Sequence, residues 1–92
     1  MEHRFTAIIE RGGDMDAAYV VVPVDIRAVY GMGHLKVETT FDGEPYCGSV
    51  VNMGVKDAEG RICYIIGITK AIRQQIGKTF GDMVEVTLIC EN

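Results

Sequence analysis

At 92 residues the chain is sized for one small domain with a single core. An apolar share of 48% fits a folded globule, and no apolar run approaches the ~20 residues of a membrane span, which excludes a transmembrane helix. Thirteen acidic against nine basic residues leave a net charge of −4, which argues against a general nucleic-acid surface, because charge neutralisation supplies most of that affinity.

The opening, Met1-Glu2-His3-Arg4-Phe5, passes straight into strand-like pattern without an apolar signal core, so the cytoplasm is the expected compartment. Phe5, Ala7 and Ile9 alternate with Arg4, Thr6 and Glu10, the period of a half-buried strand. Ile8 breaks the alternation and implies a partly covered outer face. Gly12-Gly13-Asp14 reads as a turn. Ala17 to Val22 is a short β-branched run, expected as a second strand in a hairpin with the first.

Pro23 to Tyr30 reads as a two-turn amphipathic helix. Asp25 sits in its first turn, Ile26, Val29 and Tyr30 form one apolar stripe, and Gly31 stops it. Leu35, Val37, Thr39 and Phe41 alternate with Lys36, Glu38 and Thr40 as another strand. Asp42-Gly43 is a strong hairpin signal leading into a strand from about Tyr46 to Met53, inside which Gly48 marks a bulge or a close approach. Asp57 to Gly60 turns the chain into Ile62 to Ile66, apolar on both faces and therefore central.

Thr69 is the expected N-cap of a second helix, Ile72 and Ile76 its buried side, Gly77 its stop. Gly81-Asp82 then turns into a last strand with Val84, Val86, Leu88 and Cys90 on one face. Ile26, Arg27 and Gly31 recur as Ile72, Arg73 and Gly77 at a constant offset of 46. Two halves of strand, capped helix, glycine and strand imply a mainly β fold: a small six-stranded split or closed β-barrel with two short helices and an internal pseudo-twofold repeat, one domain over residues 1–92.

The chemistry-bearing residues are few. Cys47, Cys63 and Cys90 are odd in number, lack Cys-x-x-Cys spacing and lie at no ligand spacing from His3 or His34. Each is expected as a small buried hydrophobe, and no metal or other cofactor is expected. Ser49 and the cysteines have no sequence cue linking them to a base, so no catalytic residue is assigned. The carboxylate pairs Asp14/Asp16 and Asp57/Glu59 read as solvated turn residues. Arg27, Lys70 and Arg73 remain as a possible anion or partner contact, because the repeat sets the two arginines at equivalent places on the helices. The plainer alternative pairs each arginine with a nearby acid such as Asp25 or Asp82.

At these residues the chain resembles the bacterial domains of unknown function numbered 1905. It carries Phe5-Thr6-Ala7, Val22-Pro23-Val24-Asp25, Tyr30-Gly31, Gly43-Glu44-Pro45-Tyr46, Lys70-Ala71-Ile72-Arg73 and Gly81-Asp82-Met83-Val84 in that family's order. The resemblance implies a fold similar to the swapped-hairpin, double-split barrels of AbrB and MazE type, with one chain supplying both halves. Thr69 stands where those factors have proline, and the acidic charge departs from a DNA binder. The expected function is a non-catalytic cytoplasmic binding module for an unknown protein or a small anionic ligand, monomeric as an internal pseudo-dimer. The alternatives are a nucleic-acid binder of swapped-hairpin ancestry and a small pocket-bearing enzyme or sensor.

Overall fold

The computed structural model describes residues 2–12 and 17–90. Gly13 and Asp14 of the first expected turn, and the pair Asp14/Asp16, lie outside them. The described chain runs β1 (Glu2–Ile8), β2 (Glu10–Arg11), β3 (Ala18–Val22), α1 (Ile26–Tyr30), β4 (His34–Phe41), β5 (Glu44–Val51), β6 (Tyr64–Gly67), α2 (Lys70–Ile76) and β7 (Met83–Cys90). The strands form one curled antiparallel sheet, a half-barrel, in the order β1-β7-β4-β5-β6-β3-β2.

Seven strands stand where six are expected, because the first breaks at Ile9. Its backbone bonds Asp82 and Gly81 across the sheet while its side chain is 1% exposed. The break also corrects the expected hairpin. Only Glu10 and Arg11 pair with β3, at Tyr19 and Ala18, whereas β1 pairs along its length with β7, from Glu2↔Ile89 to Ile8↔Met83. Ile8 is 49% exposed, so the outer face there is not covered.

Period-two patterning decides the other strands. In β4, Leu35, Val37, Thr39 and Phe41 are buried and alternate with outer residues, and β7 repeats this with Val84, Val86, Leu88 and Cys90. Thr39 is the polar member of the inner row, and its hydroxyl donates to the Thr87 carbonyl at 2.8 Å. The concave face is filled by Ile9, Val20, Ile26, Phe41, Val50, Ile66 and their neighbours, all close to zero exposure.

The β4–β5 hairpin turns on Asp42 and Gly43, with φ of 50° and 86°. A two-residue turn with both φ positive matches the twist of antiparallel strands. The tight turn starts β5 at Glu44, two residues before the expected Tyr46. Gly48 is a close approach and no bulge: the β4–β5 register is unbroken, and a Cβ there would meet the Tyr46 ring at 2.8 Å. Ile62 falls outside β6 and pairs only with Lys56, bracketing the Asp57 turn. No helix among the described residues is long and apolar enough to cross a membrane.

Candidate functional site

The two helices organise two separate surfaces. α1 starts later than expected because Asp25 is its N-cap and no part of its first turn. Its carboxylate accepts from the Arg27 and Ala28 amides, both at 3.1 Å. Gly31 ends the helix at φ 71°, and its amide donates to the Arg27 carbonyl. Arg27 is exposed, and its guanidinium lies against Gly33, where a Cβ would meet Nη2 at 3.1 Å. Beside it runs a trough of about 760 Å³ between Val21–Arg27 and Asp57–Tyr64. Asp57 organises the far wall by accepting from the Glu59 and Arg61 amides and from Arg61 Nε at 3.3 Å. Arg61 also pairs with Glu59.

α2 has the same grammar with a different outcome. Thr69 caps it by accepting from the Ile72 amide at 3.2 Å, and Gly77 ends it at φ 69°. Arg73, however, is only 6% exposed. The Arg73 guanidinium lies 5.0 Å from the centre of the Phe80 ring and that of Arg11 4.1 Å from it, so one aromatic ring contacts two cations. Lys78 Nζ pairs with Asp42 at 2.6 Å and donates to the Met83 carbonyl at 2.5 Å. That bond to Lys78 is the main cause holding the Asp42 carboxyl below its ordinary range, with the Glu85 amide helping and desolvation opposing. Lys70 is exposed and lines a hollow of about 330 Å³ with Arg73, Gln74, Gly77, Lys78 and Thr79.

Of the three expected contact residues, Lys70 and Arg73 come together and Arg27 does not join them. α1 and α2 form no packed interface among the described residues, and Arg27 lines a hollow that neither of the others touches. Of the acids named beside them, Asp25 caps α1, and Asp82 accepts from the Thr79 amide at 2.9 Å. Sequence patterning missed Arg11, Lys78 and Phe80. The signal available was a basic pair, Lys70 and Lys78, on either side of a helix stop, with an aromatic just beyond.

A second missed cluster joins three elements. His3 Nε2 lies 2.8 Å from the Tyr30 hydroxyl, with the rings edge to face. The Cys90 thiol hydrogen-bonds Tyr30, and this bond, with desolvation and the thiol's charge, pushes the tyrosine up to about 12. Extending the alternation of β1 back by two residues sets His3 on the inner face with Phe5. The cysteines correct the expectation of three buried hydrophobes. Cys90 is buried, Cys63 half-buried and Cys47 exposed on β5, because strand alternation turns Cys47 outward.

Fold and surface together define a small antiparallel β domain, curled into a half-barrel, with two capped helices and cations gathered around one of them. Residues 5–88 match the family described as Domain of unknown function (DUF1905), and the chain belongs to that family. No curated protein matches the sequence.

Proposed function

We propose that the domain is a non-catalytic binding or interaction module. It holds an anionic group, of a small ligand or of a partner protein, at the α2 end through Lys70 and Arg73. The observation that carries this reading is the gathering of Arg11, Lys70 and Arg73 around α2 and Phe80 in a chain of net charge −4. Like charges concentrated at one end of an acidic protein polarise it and steer anions there. Phe80 stacks against both guanidiniums, which limits their freedom and favours planar recognition of carboxylate or phosphate. Burial of Cys90 and its bond to Tyr30 suit a structural thiol better than a nucleophile.

The test is titration of isotope-labelled protein at low salt with inorganic phosphate, an oligoglutamate peptide and a short DNA duplex. Amide shifts on α2 and residues 78–80 with phosphate or peptide, weakened by Lys70→Glu, are the expected result. No shift at low salt ends the reading, and duplex binding that outlasts the other two replaces it with the nucleic-acid alternative.

The finer fold belongs to the same proposal. Because β1 and β2 are one segment interrupted at Ile9, a single stretch supplies both ends of the strand order, which supports a closed six-stranded barrel. The offset of 46 that relates Arg27 to Arg73 also fits the register. Val20 pairs with its own counterpart Ile66, while Thr40 and Phe41 pair with Thr87 and Val86, each other's counterparts. That is the pattern of a pseudo-twofold axis between β3 and β6 and between β4 and β7, and it supports both the internal repeat and kinship with double-split barrels of bacterial regulators. On this reading the chain is a cytoplasmic monomer that already contains its own dimer, and light scattering gives the mass of one chain.

A further inference from the structure

We propose that the trough beside α1 is a second, independent site, which binds an organic monocarboxylate with an apolar body and holds the carboxylate on Arg27. The walls supply the apolar half of that chemistry. Val22, Pro23 and Val24 form one side, and Ile62, 51% exposed, projects from the other. At about 760 Å³ the trough has the size of a small-molecule site. The polar lining selects the head group. Asp25 is engaged as the α1 cap, Asp57 and Arg61 bind each other, and Cys63 Sγ lies 3.9 Å from the Arg61 carbonyl. Arg27 is different: its guanidinium makes no ion pair or hydrogen bond among the described residues. Its Nη2 occupies the space that a side chain at Gly33 would fill. A fork of N–H donors beside an apolar trough matches a carboxylate, which takes two parallel hydrogen bonds from one guanidinium. Asp25 and Asp57 line the same trough, so a phosphate dianion meets about twice the repulsion there that a single negative charge meets.

Titration of labelled protein with sodium octanoate tests the site. The expected result is saturable shifts confined to residues 22–27 and 57–64, with affinity lowered about tenfold or more by Arg27→Gln and likewise for octanamide in place of octanoate. Arg27 is exposed and glutamine has similar helix propensity, so that variant folds. Lys70→Glu leaves octanoate binding unchanged, which separates this site's fate from that of the α2 surface. A tetrapeptide ending in a free leucine carboxylate, compared with its C-terminal amide, distinguishes two sources of the head group. Tighter binding of the peptide acid than of octanoate identifies a polypeptide C-terminus, and weaker binding a free organic acid. The proposal is overturned if octanoate moves no amide up to about 10 mM. It is equally overturned if the shifts lie elsewhere, or if Arg27→Gln or octanamide binds as well as the original pair.

Discussion

Arg27 and Arg73 each stand four residues before a glycine that ends a helix, and each accepts that glycine's amide on its carbonyl. One is exposed and the other is 6% exposed. The helices do not cause the difference; the connections that leave them do. After Gly31 only Met32 and Gly33 precede β4; Met32 stays 44% exposed and Gly33 has no side chain, so Arg27 is left uncovered. After Gly77 the chain runs from Lys78 to Asp82 before β7, long enough to lay Phe80 beneath Arg73 and to clamp Lys78 onto Asp42. A loop a few residues longer converts a surface charge into a packed one. It also yields two surfaces of different character from one local plan: a cationic end with an aromatic floor and an apolar trough with one exposed guanidinium.

The comparison breaks most sharply on the arginines. Arg73→Ala is expected to cost about 3 kcal/mol in urea unfolding, since it empties a packed site and strips the stack from Phe80. Arg27→Ala is expected to fall within about 0.5 kcal/mol of the parent. Equal losses would mean that Phe80 does not hold Arg73.

The caps come next and should behave alike. Gly31→Ala and Gly77→Ala both force an L-residue into a left-handed φ, at about 1 kcal/mol each. Asp25→Ala and Thr69→Ala are expected to lose a similar amount, about 1 kcal/mol. A pair that differed strongly would show that the two helices are not built on one plan.

A smaller effect separates the ends by pH. The folded Asp42 titrates lower than an ordinary aspartate, so its pairing with Lys78 contributes stability that is fully present above the ordinary carboxylate range. That contribution is lost as pH falls through the lowered folded value. Asp42→Asn should flatten the acid limb of the stability curve measured by urea unfolding. At the alkaline side the sign reverses in cause. Tyr30 is raised to about 12, so its contribution is intact below an ordinary tyrosine's pKa and is lost as pH rises through about 12. Ultraviolet titration of Tyr30→Phe should therefore lack the phenol that ionises near 12 in the parent. Smallest of all, Lys70→Glu should leave stability within about 0.5 kcal/mol while removing phosphate-induced shifts at α2.

The features legible in the chain itself were local. Thr69 and Gly77, Gly31, the Asp42-Gly43 turn and the alternation of β4 and β7 carry their own causes within a few residues, and they stand where the pattern puts them. Asp25 shows the limit of that precision: the same residue serves the same helix end, but from one step outside it. The partner of β1 could not be read, because alternation names the buried face of a strand and never its neighbour. A Gly-Gly turn after Glu10 therefore suggested β3, where β7 takes the whole of β1. The site suffered likewise. Lys70 and Arg73 meet because they share a helix, whereas Arg11, Phe80 and the His3–Tyr30–Cys90 cluster are assembled by pairings that span most of the chain.

That pairing of β1 with β7 also bears on how the protein comes into being. Glu2 meets Ile89 and His3 meets Leu88, so β1 finds its neighbour only after β7, far along the chain, has been made. Until then β1 waits with both edges open, an invitation to pair with another nascent chain. Contacts of such sequence separation slow folding, because the loop entropy must be overcome before any pairing energy returns. Glu2 and Arg4, bonded to each other at 2.7 Å on the outer face of that strand, put both signs of charge on it during the wait.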